Sequence, residues 1–188
     1  MEKMSPVQKD KRYTYADYVT WPDDARYELI DGEAYMMAGA GTAHQRASGD
    51  LHRQFSSFLY GKSCEVFHAP FDVRLNAAGD KDETVVQPDL LVVCDKTKID
   101  AKGCNGAPDM VIEILSSSTA SHDTVVKFNK YLQAGVREYW IVNPEIKAVS
   151  VHVLENGRYV TSAYNETDTV PVHILDGCQI NMRDVFAE

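Results

Sequence analysis

The chain has 188 residues, 19 of them Lys or Arg and 28 Asp or Glu, for a formal net charge of −9. Its 44% apolar and 25% charged residues are those of a globular domain, which excludes disordered, collagenous and low-complexity classes, and no run approaches the roughly 18 apolar residues of a membrane span. The acidic balance argues against coating nucleic acid by charge alone. It does not argue against an enzyme that neutralises an acidic centre with divalent cations.

The size suits one domain over residues 13–188 behind a flexible N-terminus over 1–12. The charged opening segment, Met1 to Tyr13 with Pro6, lacks the apolar core of a secretion signal. The expectation is a cytoplasmic protein with no membrane partner. Cysteines stand at 64, 94, 104 and 178 with no CxxC pair. A zinc ribbon is therefore not expected, and the four are read as reduced, partly buried thiols.

Thr14 predicts a short helix over Tyr15 to Val19, with Asp17 in capping-box spacing and Pro22 as its stop. Asp31-Gly32 between two apolar runs predicts a hairpin over Arg26 to Met37. A helix capped by Thr42 follows from about Ala43 to Tyr60. Ala47, Leu51, Phe55, Phe58 and Leu59 form its apolar face, and Gly61 is its stop. Strands are expected over Cys64 to Ala69, Phe71 to Leu75, Val85 to Cys94 entered through Pro88, and Met110 to Leu115. Asp95 to Ala107 reads as a loop. A second helix runs from about Asp123 to Ala134 and stops at Gly135. Then come a strand over Glu138 to Asn143, a hairpin over Ala148 to Leu154 and Arg158 to Tyr164, short strands over Val170 to Leu175 and Cys178 to Met182, and a final turn at Asp184 to Phe186. The fold class is α+β or mixed α/β.

Two acids stand out. Glu113 has Val111 and Leu115 as same-face neighbours in an apolar strand, where a carboxylate costs several kcal/mol unless it is paired or holds a metal. Asp89 follows Pro88 at the mouth of another apolar strand and lies beside Glu113 if the two strands pair. Two carboxylates, waters and backbone carbonyls suit Mg²⁺ or Mn²⁺, which prefer hard oxygen ligands. Asp109 shares the face of Glu113, but four strand residues span about 13 Å. Asp109 is thus expected to hold a backbone amide rather than the same ion. The cation such chemistry needs is expected from the next helix, from Lys127 or from Lys130 three residues on. Ser116 to Ser118 read as loop and cap, because no GxSxG elbow surrounds them.

The ordered set Tyr27-Glu-Leu-Ile-Asp-Gly-Glu33, His44, Pro88-Asp89, Ala107-Pro-Asp-Met-Val-Ile-Glu-Ile-Leu-Ser116, Asp123 with Lys127, and Gly135-Val-Arg-Glu-Tyr-Trp-Ile-Val-Asn-Pro144 covers roughly Tyr13 to Tyr164. It resembles the PD-(D/E)XK nuclease superfamily and, within it, the Uma branch of restriction-endonuclease-like proteins. The resemblance implies an αβββαβ core, here with an N-terminal hairpin and extra C-terminal strands. It implies that Asp89 and Glu113 bind the metal, with Ile114 lending its backbone carbonyl. The superfamily places a lysine two residues after the acid, where this chain has Leu115. The resemblance therefore implies that Lys127, on the following helix, takes that role. It adds an acid from before the core sheet, with Glu28 as the candidate and Glu33 as its competitor, and it adds His44, which alone reads as an ordinary helix-start residue. The implied activity is metal-dependent hydrolysis of phosphodiesters, in DNA. A two-stranded substrate favours a homodimer, joined through the hairpin at 148–164 or the strand at 33–37. Two rivals are a catalytically inactive module that keeps the fold to bind nucleic acid or protein, which Leu115 and the net charge favour, and a carboxylate-pair glycoside hydrolase.

Overall fold

A computed structural model describes residues 11–22, 25–116 and 122–187. The first turn forms as the sequence predicts: α1 (Tyr15–Tyr18) starts at a capping box in which Thr14 and Asp17 bond reciprocally. The hairpin of β1 (Tyr27–Ile30) and β2 (Glu33–Met36) turns through Asp31 and Gly32, both at positive φ, 51° and 77°. That pair of values suits an Asp-Gly turn matched to the strand twist.

The long helix α2 (Thr42–Leu59) buries Ala47, Leu51, Phe55 and Leu59, one residue per turn on one stripe. Its N-cap is Gly41, with no side-chain cap bond, so Thr42 is the first helical residue and not the cap. The expected strand over Phe71 to Leu75 shrinks to β4 (Val73–Arg74).

The main departure from the sequence reading lies between Val85 and Cys94, expected as one strand. It divides into β5 (Val85–Val86) and β6 (Leu90–Val93), which belong to different sheets. Pro88 at the break has no N–H to give a ladder. The expected loop after Asp95 contains two more short strands, β7 (Ile99–Asp100) and β8 (Gly103–Asn105). Gly103, at φ 120°, is forced by close approach: a Cβ there would lie 2.2 Å from the Asp72 carbonyl oxygen.

β9 (Met110–Ile114) is buried along its whole length. A π-helical turn over His122–Lys127 leads into α3 (Phe128–Ala134), which ends at Gly135 in the left-handed region. The chain then forms β10 (Glu138–Asn143), the hairpin of β11 (Ala148–Glu155) and β12 (Arg158–Asn165), the small pair β13 (Thr169–Pro171) and β14 (Gln179–Asn181), and α4 (Met182–Val185).

Two six-stranded sheets result. The first has the order β12-β11-β10-β9-β6-β3, with β3 (Glu65–His68) at its edge, and the second the order β2-β1-β5-β4-β8-β7. In the first sheet β3, β6 and β9 are antiparallel neighbours and β10 runs parallel to β9. With α2 before and α3 between, this is the expected αβββαβ core. One face of that sheet, including Leu90, Ile112 and Trp140, packs on α2 and the C-terminal elements. The other, including Leu91, Val111 and Tyr139, packs on Tyr131 and on residues of the second sheet such as Val73 and Val86. Among the described residues no helix is long and apolar enough to cross a membrane.

The expectation of four reduced thiols is corrected. Cys64 and Cys94 form a disulfide, while Cys104 and Cys178 are free and buried. The antiparallel pairing of β3 with β6 sets Glu65 opposite Val93. One step further out, Cys64 faces Cys94.

Candidate active site

The two sheets meet where the chain crosses between them at Gln87-Pro88-Asp89, and the acids gather there. On β1, Glu28 is buried, and its Oε1 accepts the Gln87 backbone N–H at 2.7 Å. Asp89 sits at the entrance of β6. Its Oδ2 accepts the Ile114 backbone N–H at 2.7 Å and lies 3.1 Å from His44 Nε2. On β9, Glu113 turns to the same side, with only 3% of its surface exposed. Lys127 links the acids: its Nζ is 2.9 Å from Glu28 Oε1 and 3.0 Å from Glu113 Oε1. Tyr131, one turn along the helix, donates its hydroxyl to the same Glu113 oxygen at 2.6 Å. Burial and the nearby Glu113 and Glu28 carboxylates hold the Tyr131 phenol well above its usual range, so it stays protonated and acts as a donor.

These groups line one cavity of about 360 Å³ with Arg26, Tyr35, Met36, Met37 and His68 on its walls. Glu28, Asp89 and Glu113 share the cavity with the cations Lys127 and Arg26, with His44 beside Asp89. Buried charges need compensation. All three acids offer the hard oxygen ligands that divalent cations such as Mg²⁺ take. No three His, Cys, Asp or Glu side chains among the described residues are grouped to hold an ion by themselves. Carboxylates without cysteine neighbours are chemistry that fits Mg²⁺ or Mn²⁺ better than a tetrahedral zinc centre.

Both open choices of the sequence reading resolve by position. Glu28 lines the cavity, whereas Glu33 is exposed and accepts from Tyr35 at 2.9 Å. Lys127 lines the cavity, whereas Lys130 reaches past it to Asp31 at 2.6 Å. Asp109 stays out of the cavity, as expected: it accepts the Cys94 backbone N–H at 2.8 Å and pairs with Arg137 at 3.1 Å. The anticipated Asp123–Lys127 pair and the role of Ser117 and Ser118 fall on side chains outside the described residues. The sequence reading missed Tyr131, Gln87 and His68. Tyr131 carried a usable signal, four residues after Lys127 on one helix face. Gln87 acts through its backbone on Glu28 and through its side chain on Arg26, and carried none.

A family model described as "Putative restriction endonuclease" matches residues 15–183. The chain belongs to the Uma2 family. The uncharacterized protein slr1290 of Synechocystis sp. strain PCC 6803 is 26% identical over 168 residues, 87% of this chain and 86% of its own length. The uncharacterized protein sll1609 of the same organism is 30% identical over 132 residues, 68% of this chain and 72% of its own length. A crystal structure from Anabaena variabilis, described as "a putative nuclease belonging to DUF820", superposes with a TM-score of 0.74 at 18% identity. The match covers 93% of this chain and 97% of that one. This Uma2 chain thus shares its fold with that protein along nearly its whole length.

Proposed function

We propose that the protein is a metal-dependent nuclease that hydrolyses phosphodiester bonds in DNA. One observation carries the reading: a lysine with 4% of its side chain accessible stands within 3.0 Å of two buried glutamates, in a cavity that also holds Asp89. An isolated acid cluster of this kind is costly to bury. Its membership of the Uma2 family supports giving that cluster a chemical role.

Asp89 and Glu113 would hold Mg²⁺ or Mn²⁺, with the Ile114 carbonyl as a third ligand. When bound, the ion supplies positive charge that polarises a phosphate oxygen. Lys127 places a fixed ammonium beside the reacting phosphate, where it stabilises the negative charge that develops. Glu28 holds that ammonium from the far side. Tyr131 pins Glu113 with a proton that it keeps. His44 orients Asp89 through Oδ2.

The protein acts as a homodimer in this reading. Both segments named for the contact, β12 and β2, lie at sheet edges. Sedimentation of the purified protein checks the oligomeric state.

Calorimetric titration with Mn²⁺ tests the site without a choice of substrate. The native protein should bind, and Glu113→Gln should bind at least tenfold more weakly, with DNA hydrolysis lost in parallel. Equal binding by both proteins would remove Glu113 from the site. Binding without hydrolysis of any DNA would leave the inactive module as the better reading.

A further inference from the structure

The wall facing the buried acids is chemically unlike them. In the β1–β2 hairpin Glu28 pairs with Tyr35, and Met37 N–H bonds to the Arg26 carbonyl. Alternation along β1 puts Arg26 on the face of Glu28, and directly opposed residues share a face. One face of the hairpin therefore presents a guanidinium, a carboxylate, a phenol and a thioether in a row, and all four line the cavity. The guanidinium is braced, with its Nε and Nη2 on Gln87 Oε1 at 3.2 and 2.9 Å. Beside it the rim is apolar. The Met37 thioether stands there, and Ala38 to Ala40 continue the lip.

The geometry points to an unpaired nucleotide as the unit this cavity accepts, with its phosphate between Arg26 and Lys127 and its base against Met37. The assignment rests on the phosphodiesterase reading and narrows it to single-stranded, flipped-out or frayed nucleic acid. Three observations converge. The acids and Lys127 are at the bottom, with 4 to 5% of the Glu28, Glu113 and Lys127 side chains accessible, so the reacting phosphate has to enter the cavity. At about 360 Å³ the cavity sits near the small end of the roughly 300–1,000 Å³ of pockets that enclose one small ligand. The apolar lip has nothing to gain from a stacked duplex, whose base faces are already covered, but it can receive the face of an unstacked base. Arg26 supplies the charge complementary to phosphate that the net charge of −9 otherwise denies.

Fluorescence polarisation of a short labelled DNA tests this, with the strand alone and annealed to its complement. Each is run with EDTA and with Mn²⁺, and products are read on a gel. The single strand should bind at least about fivefold more tightly than the duplex, and the Met37→Ser variant should lose that preference while its thermal melting stays unchanged; fivefold is the lower end of what stacking one base on an aromatic ring contributes. Equal or tighter duplex binding, or a preference that survives the substitution, overturns the inference even if DNA is cut. Single-strand preference without cleavage keeps the inference and removes the hydrolytic reading. No binding to either DNA overturns both.

Discussion

Two acids are buried on opposite faces of the same sheet, and they do opposite things. Glu138, on β10, is fully buried on the face that packs against α2 and the C-terminal elements. Its Oε1 accepts the Trp140 indole N–H at 2.7 Å and its Oε2 the Ile174 backbone N–H at 2.9 Å. Burial raises its pKa, and these two neutral donors offset part of that. Glu113, on the neighbouring β9, faces the other way and meets an ammonium, a phenol and a cavity. Burial of a carboxylate is thus not itself a mark of function. What separates the two is a buried ammonium at 3.0 Å and an adjoining cavity. Glu138 spends one oxygen on Trp140 and the other tying the C-terminal segment to the sheet, while Glu113 shares a cavity with Glu28, Asp89 and Lys127.

The contrast can be broken most sharply at the lysine. Lys127→Ala would leave Glu28 and Glu113 facing each other without compensation, and breaking a buried pair costs about 3–5 kcal/mol. Urea unfolding at neutral pH should show a loss of that order, together with loss of hydrolysis. Glu138→Gln should cost less, about 1–3 kcal/mol, because its amide sets a donor against one of two donors already there. Its Mn²⁺ titration should match that of the native protein; weakened binding like that of Glu113→Gln would erase the distinction between the faces. Tyr131→Phe should cost about 1.5 kcal/mol, the low end for a hydrogen bond to a charged group, since Lys127 still serves the same oxygen. Hydrolysis by this variant should fall far less than with Lys127→Ala.

The smallest effect concerns His152, packed among Phe128, Tyr139 and Tyr159 behind Tyr131. Burial holds its imidazole below the ordinary 6.5. The unfolded chain therefore takes up the proton first. Stability is full above 6.5 and declines as the pH falls below that value toward the folded pKa. The urea midpoint should drop from about pH 7 toward about pH 5, and His152→Phe should flatten that part of the slope. An unchanged slope would place the acid sensitivity elsewhere, with the His52 imidazole, also held low by burial, as the next group to replace.

Local patterns carried the sequence reading a long way. The capping box at Thr14 and Asp17, the Asp31-Gly32 turn, the apolar stripe of α2 and the stop at Gly135 are each written in a few adjacent residues, because caps, turns and helix faces depend on spacing alone. Glu113 was legible for a similar reason, since a charged residue in an apolar strand conflicts with its neighbours. Glu138 escaped the same test because it opens its strand beside Arg137, where a charge looks ordinary.

Glu28 and Glu33 show where that legibility stops. The register puts Glu28 opposite Tyr35 and Glu33 opposite Ile30, so both acids lie on one face of the hairpin. Alternation could not choose between them. Only the packing of one end of the hairpin against the strand crossing at Gln87 buries Glu28 and leaves Glu33 in solvent. The same holds for Lys127 and Lys130: α3 runs along the hairpin, so the first lysine meets Glu28 and the second reaches Asp31 at the turn. The Cys64–Cys94 disulfide depends on the pairing of β3 with β6, and the division at Pro88 depends on which sheet each half joins. By itself the sequence determined the caps, the hairpin turn, the stripe of α2 and the anomalous acid of β9, because these follow from interactions within a turn or a few residues of strand. The tertiary structure alone decided the partners across sheets, the lysine, the second glutamate and the apolar lip, because long-range register is set by how whole faces bury each other.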